Sequence, residues 1–418
     1  MSRTTDRLKV LWLSPVPHDA RHGMKSFGTG HWIGRLREVV LAHANIELHI
    51  CFVTVAEDAA AADGVHPIAV GTRLRRSMRN AFGETTKYLT MALDRLLERI
   101  RPDLIHVHGT EGPLARALIE CRQVPPFIVS LQGLMRPCAQ NPHGNIPYGE
   151  LVRAQRLWDV LRGCPTLRLR QIYTRRARDE KLILQSAALA LGRTEFDRAY
   201  ALAIAPTVPY ARSNEVLREP FYQATWLLTK CRRHTLFCCS RISLQKGIPV
   251  LLEAFDLVAA RYPEARLIIA GTFDASCESR IIRRMVQSND RSARIEFKGG
   301  LSGAQIVGEL LGAHVYVNPS FIENSSNSIG EAALVGVPIV ATHTGGTPTM
   351  VQDGETGLLA SVGCPYLLAM QICRIFSDDT LAIRLGAAAQ VQARRRHEPA
   401  EIASSLLAIY GTVSKGRK

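Results

Sequence analysis

The sequence predicts an α/β protein made of two doubly wound parallel-sheet domains. Three observations carry that reading. A chain of 418 residues is long enough for two domains of common size, each with its own core. Short apolar runs alternate with stretches of helical apolar spacing along most of its length. Glycine and polar residues gather where the apolar runs end, which is where open parallel sheets bind ligands.

The first domain opens with a buried strand over residues 9–14, KVLWLS. Residues 15–30 form a loop rich in glycine and proline, including Gly28-Thr-Gly30, and residues 31–42 have helical spacing. Strands follow over 46–55, 104–107 and 127–131, with a helix over 114–120 between the last two. Residues 135–184 are less regular, with prolines at 137, 142, 147 and 165, and are assigned acceptor-specific structure. The stretch from Ala205 to Tyr210 is the expected start of a linker.

In the second domain, residues 235–240 (TLFCCS) form an apolar strand that runs into Arg241-Ile-Ser-Leu-Gln-Lys246-Gly247. Leu251, Ala254, Phe255 and Val258 then mark a core-facing helix. Further strands are expected at 266–271, 295–300, 314–320 and 337–341. Residues 401–413 have helical spacing near the C-terminus, and residues 414–418 (SKGRK) are expected to be disordered.

Chemistry concentrates in residues 323–331, ENSSNSIGE. Glu323 falls on a strand-to-helix loop, and residues 325–328 open the helix, where backbone N–H groups lack intrahelical partners. Those groups and the helix dipole favour a phosphate, which places Asn327 and Ser328 at the anion. Glu331 lies up to ~12 Å further along the axis, a span that fits a nucleotide diphosphate sugar. The alternative is a capped helix with one solvated glutamate. Arg241 and Lys246 set two cations on a loop at a strand's C-terminal end, which suits a diphosphate.

The ordered set SRISLQKG, LLEAF, LIIAG, IEFKGGL, VNPSFIENSSNSIGEA, GVPIVAT, GGTP and DGETGLL resembles the donor-binding half of glycosyltransferase family 4. In the first half, DLIHVHGTE (103–111), VSLQG (129–133) and GRTEFD (192–197) are similar to bacterial members that assemble capsular or extracellular polysaccharide, and NEVLREPFY (214–222) to their inter-domain segment. The resemblance implies a GT-B fold, with two Rossmann-like domains facing a cleft. It places an N-terminal acceptor-binding domain at 1–210 and a nucleotide-sugar-binding domain at 211–397, with a C-terminal helix at about 398–414 packing back on the first.

The resemblance further implies glycosyl transfer from a nucleotide diphosphate sugar to a hydroxyl of a glycan or lipid-linked precursor, with retained configuration and no metal. Arg241 and Lys246 would neutralise the leaving diphosphate. Glu323 would orient the sugar hydroxyls and Glu331 would grip the ribose. Gly30 would let backbone approach the phosphates. Gln132 stands where many relatives carry histidine, and it cannot act as a base at neutral pH. His108 is the nearest replacement. Thr349 stands where relatives usually place glutamate. Rival readings are a non-catalytic nucleotide-sugar-binding subunit, or another GT-B enzyme such as an epimerase or phosphorylase.

Hydrophobic content of 46% is ordinary for a globular chain, and no run approaches the length needed to span a bilayer. The polar N-terminus has no signal-peptide core, so a cytoplasmic location is expected. Ten cysteines without C-x-x-C spacing are read as reduced thiols, and no metal or cofactor site is indicated. The net charge is +15, and residues 1–222 carry 31 Lys and Arg against 21 Asp and Glu. Clusters at Arg73, Arg75, Arg76 and Arg79, and from Arg162 to Lys181, point to a peripheral contact of the N-terminal domain with an anionic membrane face, or to a solvated surface. Low aromatic content (6%) and the lack of a recognisable module argue against nucleic acid.

Overall fold

The computed structural model describes residues 7–15, 31–54, 64–70, 83–161, 163–287 and 292–415. Gly30, the cluster from Arg73 to Arg79 and Arg162 lie outside the described residues. The chain divides into two compact units. Unit one holds residues 1–135, 175–216 and 398–418, and unit two holds 136–174 and 217–397.

Unit one is built on a seven-stranded sheet, ordered β3-β2-β1-β4-β5-β6-β7. Its strands are β1 (Lys9–Leu13), β2 (Glu47–Thr54), β3 (Val65–Ala69), β4 (Leu104–His108), β5 (Phe127–Ser130), β6 (Leu189–Gly192) and β7 (Tyr210–Arg212). All pairings are parallel. Central strands covered on both faces become continuous apolar runs, so every residue of β4 is buried. Strands β3, β6 and β7 were not anticipated, because each is short and bordered by residues with loop chemistry. The expected linker at 205–210 instead leads into edge strand β7, and unit one continues to Val216.

The helix Pro399–Lys415 belongs to unit one and reaches two residues into the tail expected to be disordered. It buries Tyr410 among β1, β4 and β5. Trp12 Nε1 donates to the Tyr410 hydroxyl at 2.9 Å, which lies 2.7 Å from His106 Nδ1. His106 Nε2 is 2.7 Å from Ser130 Oγ. In a neutral ring one of these two nitrogens donates and the other accepts, so both contacts can be satisfied at once. Burial, with His108 adjacent, holds the His106 pKa well below the usual range, which agrees with a neutral ring.

Unit two carries a six-stranded sheet, ordered β10-β9-β8-β11-β12-β13. Its strands are β8 (Thr235–Cys239), β9 (Arg266–Ala270), β10 (Ile295–Gly299), β11 (Val315–Asn318), β12 (Ile339–Thr342) and β13 (Leu358–Ala360). These too are parallel throughout. Five of the six match expected strands; the apolar run of β13, LLA, is only three residues long, too short to announce a strand.

The segment 136–174 corrects the expected domain boundary. It was assigned to the first domain, but its Leu151 and Ala154 are buried in the core of unit two. Gln245 Nε2 donates to the carbonyls of Cys138 (3.3 Å) and Asn141 (3.1 Å). The basic run from Arg168 to Lys181 is therefore divided between the units instead of forming one face of the first.

His314 is fully buried, with its ring stacked on Phe376 at 4.9 Å and 11°. Its Nδ1 accepts the His234 N–H at 3.2 Å. Burial, aided by Arg233 and His234 and opposed by Asp379, lowers its pKa to about 4. An unfolded histidine titrates near ~6.5, so between these values the unfolded chain binds more protons. This contribution is intact above about pH 6.5 and is lost as pH falls towards 4. His314→Asn keeps an acceptor but removes the titration. Urea unfolding should therefore show the wild-type midpoint falling more steeply than the variant's across that window.

Candidate functional site

In unit two the strand order reverses between β8 and β11, and ligands of open parallel sheets bind at such a switch point. The loops that leave these two strands meet there. Gly247 has φ of 71°, and a Cβ on it would sit 1.9 Å from the carbonyl oxygen of Pro319, so only glycine permits the approach. Phe321 N–H donates to the Gln245 carbonyl at 2.9 Å. The loop after β12 joins them: Gly346 N–H donates to the Glu323 carbonyl at 3.0 Å, and Thr344 Oγ1 to that of Phe321 at 2.8 Å.

Lys246 and Glu323 are thereby brought together, with Lys246 Nζ donating to Glu323 Oε1 at 2.6 Å. Ser320 Oγ donates to the same oxygen at 2.8 Å. Both contacts converge on Oε1, so among the described residues Oε2 has no hydrogen-bond partner. Arg241 is exposed and forms no ion pair among the described residues. Its charge is nonetheless felt by Glu278, whose pKa is raised by burial and drawn back by the Leu244 N–H and Arg241. Glu278 accepts that N–H at 3.1 Å and so braces the cationic loop.

The helix Asn327–Val335 starts beside Glu323. Its N-cap, Ser326, makes no side-chain capping bond. The Ser326 hydroxyl instead accepts from Asn318 Nδ2 at 3.4 Å and lies 3.0 Å from Ser328 Oγ. The leading N–H groups, at Asn327 and Ser328, thus have no capping oxygen from Ser326 and keep their affinity for an anion.

Glu331 is placed differently from what its spacing implied. It is buried, and both its oxygens accept from Arg218, at 2.7 Å from Nε and 2.7 Å from Nη2. Burial raises its pKa and Arg218 opposes that shift. A ribose contact would have to use lone pairs left over from this forked pair.

Unit one holds its own cluster at the ends of β4, β5 and β6. His108 is the last residue of β4, not a loop residue, and is buried against His106 (3.8 Å between ring centroids), Trp12 (4.7 Å) and Trp32 (5.7 Å). Burial, with Arg193 nearby, lowers its pKa to about 3, so it is a weak proton acceptor. Its Nε2 has no hydrogen-bond partner among the described residues. Gln132 Oε1 accepts from Arg193 Nη2 at 2.9 Å. Arg193 also donates to the Leu131 carbonyl at 2.6 Å and forms a buried ion pair with Glu215. The acids that follow Arg193 in sequence do not pair with its guanidinium, although Asp197 accepts its backbone N–H at 2.9 Å. Glu195 pairs with Arg198 and Arg212, and Asp197 caps its own helix.

Sequence reasoning missed Glu215 and Arg218 as site partners because their pairings join separate segments whose contact no spacing reports, and Ser320 because the turn that brings its hydroxyl to Glu323 is set by the loop's backbone. Arg218→Ala would leave the Glu331 carboxylate buried without its cation. It should destabilise the protein by about 3–5 kcal/mol, measured by urea unfolding. The conservative Arg218→Lys should recover only part of this, since lysine cannot fork. Separately, Lys246→Ala and Arg241→Ala should weaken binding of a nucleoside diphosphate more than that of its nucleoside in calorimetry, because only the phosphates meet these charges.

Both regions of the chain match known protein families. The family described as glycosyl transferases group 1 matches residues 233–378, and glycosyl transferase 4-like matches residues 26–150. A D-inositol 3-phosphate glycosyltransferase of Corynebacterium glutamicum is 30% identical over 173 residues, 41% of this chain and 41% of that protein. A phosphatidyl-myo-inositol mannosyltransferase of Mycobacterium tuberculosis is 30% identical over 178 residues, 41% of this chain and 44% of its own length. The chain thus spans about two-fifths of the length of these curated relatives. Among solved structures, sucrose-phosphate synthase from Thermosynechococcus elongatus superposes with a TM-score of 0.76 at 19% identity, covering 97% of this chain and 99% of that one. Anabaena HepE, solved with UDP and glucose, gives 0.65 at 14% identity, covering 97% and 100%. These likenesses show the GT-B fold class. The two matched segments follow one another along the chain, and each is similar to its glycosyltransferase family.

Proposed function

We propose that this chain transfers a glycosyl group from a nucleotide diphosphate sugar to a hydroxyl of a glycan or lipid-linked precursor, retaining the anomeric configuration. The observation that carries this reading is the meeting of Lys246, Glu323 and an uncapped helix N-terminus at the switch point of unit two. In the reaction the bond from the anomeric carbon to the diphosphate oxygen breaks, and a bond to the acceptor oxygen forms. The acceptor's proton leaves on the departing diphosphate. Negative charge grows on that leaving group, where fixed cations and backbone N–H groups act most strongly.

Each residue then has a distinct part. Lys246, Arg241 and the N–H groups of Asn327 and Ser328 take the diphosphate. Glu323 turns its unengaged Oε2 to the sugar hydroxyls while Lys246 and Ser320 hold the other oxygen. Glu331 contacts the ribose through the lone pairs Arg218 leaves. Gly30 is retained in this proposal as a backbone neighbour of the phosphates. No resident metal is invoked, since the charges named meet the diphosphate. Unit one takes the acceptor, with His108 and Gln132 placing the hydroxyl. The relatives described above are named for inositol phosphate and phosphatidylinositol, which supports a phosphorylated or lipid-borne alcohol as the acceptor class. The neutral His108 and the amide Gln132 bind without taking the proton, in keeping with a proton that leaves on the diphosphate.

Among the described residues no helix is long and apolar enough to cross a membrane. Action at the cytoplasmic face of a membrane is part of this proposal. The reading is tested by incubating the protein with radiolabelled nucleotide sugars and a membrane extract. Label should enter a glycan or lipid fraction. Free epimerised sugar nucleotide would instead support an epimerase, and binding without turnover would support a non-catalytic subunit. In the productive case Glu323→Gln should lower kcat at least about tenfold, ~1.4 kcal/mol of barrier, with a smaller change in donor affinity. An unchanged kcat would remove Glu323 from the reacting centre.

A further inference from the structure

The segment 136–174 carries an exposed surface with an inverted pattern. Its helix Leu157–Leu161 reads LWDVL. The one charged residue, Asp159, is turned inward, where it pairs with Arg280 and accepts the Arg156 N–H at 2.9 Å. Leu157, Trp158, Val160 and Leu161 are left between 56 and 73% exposed. On the preceding helix, Tyr148–Arg153, Tyr148 and Val152 are exposed as well. A soluble surface of this length would ordinarily show the reverse, with the acid outside and the aliphatic residues beneath it.

This face is firmly mounted. Leu151 and Ala154 are buried in the core of unit two. Arg280 donates to the Ala154 carbonyl at 3.2 and 3.0 Å, and Cys277 Sγ donates to that of Leu151 at 3.5 Å. Its charge is one-sided. Residues 136–174 contain six arginines against two acidic residues, and one of those acids, Asp159, is already paired. Arg153, Arg156, Arg168 and Arg170 are exposed. Aromatic rings, aliphatic side chains and guanidinium groups on one short segment match a lipid interface. There, rings rest among headgroups, aliphatics enter the acyl boundary and arginines meet phosphates. An acidic protein partner would satisfy the arginines but would not need Trp158, Leu157 and Leu161 together.

We propose that the exposed face of residues 148–161, centred on Trp158 and flanked by these arginines, docks on an anionic lipid bilayer surface. It differs from the expected contact through N-terminal arginines alone, because the apolar groups belong to unit two and supply the binding that salt does not screen. The proposal stands independently of the transfer reaction, because docking is scored without turnover.

The test uses the full chain and sedimentation with vesicles of phosphatidylcholine alone, or of phosphatidylcholine and phosphatidylglycerol in equal parts. Binding is expected to the mixed vesicles, reduced but not abolished at high salt. Tryptophan emission should shift to the blue, and Trp158→Phe should remove the shift, because Trp12 and Trp226 are already buried and Trp32 is half-buried against His108. The double variant Trp158→Ala/Leu161→Ala should lower vesicle affinity at least tenfold while leaving nucleoside diphosphate binding and circular dichroism unchanged. Three results would overturn the proposal. One is a wild-type chain that ignores anionic vesicles. Another is a double variant that binds them as the wild type does. The third is a variant that changes only the oligomeric mass in light scattering, which would assign the face to a second copy of this chain.

Discussion

The close passage of Gly247 over the Pro319 carbonyl sets the chemistry of unit two. Two loops leave adjacent strands there and touch backbone to backbone, so the lysine that ends one lies within reach of the carboxylate that ends the other. Any side chain at 247 would separate them. Lys246 remains partly exposed, and an ion pair with a wetted partner adds little to stability. The pair is better understood as positioning: it fixes one oxygen of Glu323 and aims the other. Ser320 and the loop after β12 then hold Glu323 from two further directions.

Two forked or buried ion pairs complete the arrangement, Arg218 with Glu331 and Arg193 with Glu215. Buried pairs seldom gain much stability over apolar residues of the same shape, but losing one member is costly. Arg193 with Glu215 ties together the segments that leave β6 and β7, and Arg218 with Glu331 ties the start of one helix to the helix Asn327–Val335. Arg193 also holds the Leu131 carbonyl and Gln132, so the Gln132 amide is fixed in orientation by a charge.

Much of this was legible in the sequence, and the reasons differ by residue. Lys246, Glu323, Asn327 and Ser328 were readable because each lies at the junction of an apolar run and a helical pattern, and parallel sheets put ligands at that junction. Strands β8 to β12 were legible for the same reason, being apolar runs with clear ends. Glu331 was only half legible: its place on the helix was right, but its occupation by Arg218 depends on a residue 113 positions away. His108 was read as a loop residue because one histidine gives no sign of the strand that continues through it. Residues 136–174 were misassigned because nothing in a proline-rich stretch says which core will receive Leu151 and Ala154. Gly30 lies outside the described residues.

The buried triad of Trp12, His106 and Tyr410 has a consequence for how the chain is made. His106 and Tyr410 are 304 positions apart, and unit one cannot satisfy its central histidine until the helix bearing Tyr410 arrives. Unit two, meanwhile, takes residues 136–174 from the interior of the first unit's sequence. A ribosome releases residues in order, at roughly 5–20 per second. For some tens of seconds, therefore, the nascent first sheet would hold an unsatisfied polar centre while its interior excursion waited for a core not yet synthesised. Neither unit is a contiguous module that could close behind the ribosome on its own. Shortening the chain from the C-terminal side therefore removes part of the first unit's interior, even though the residues lost are numbered after the second.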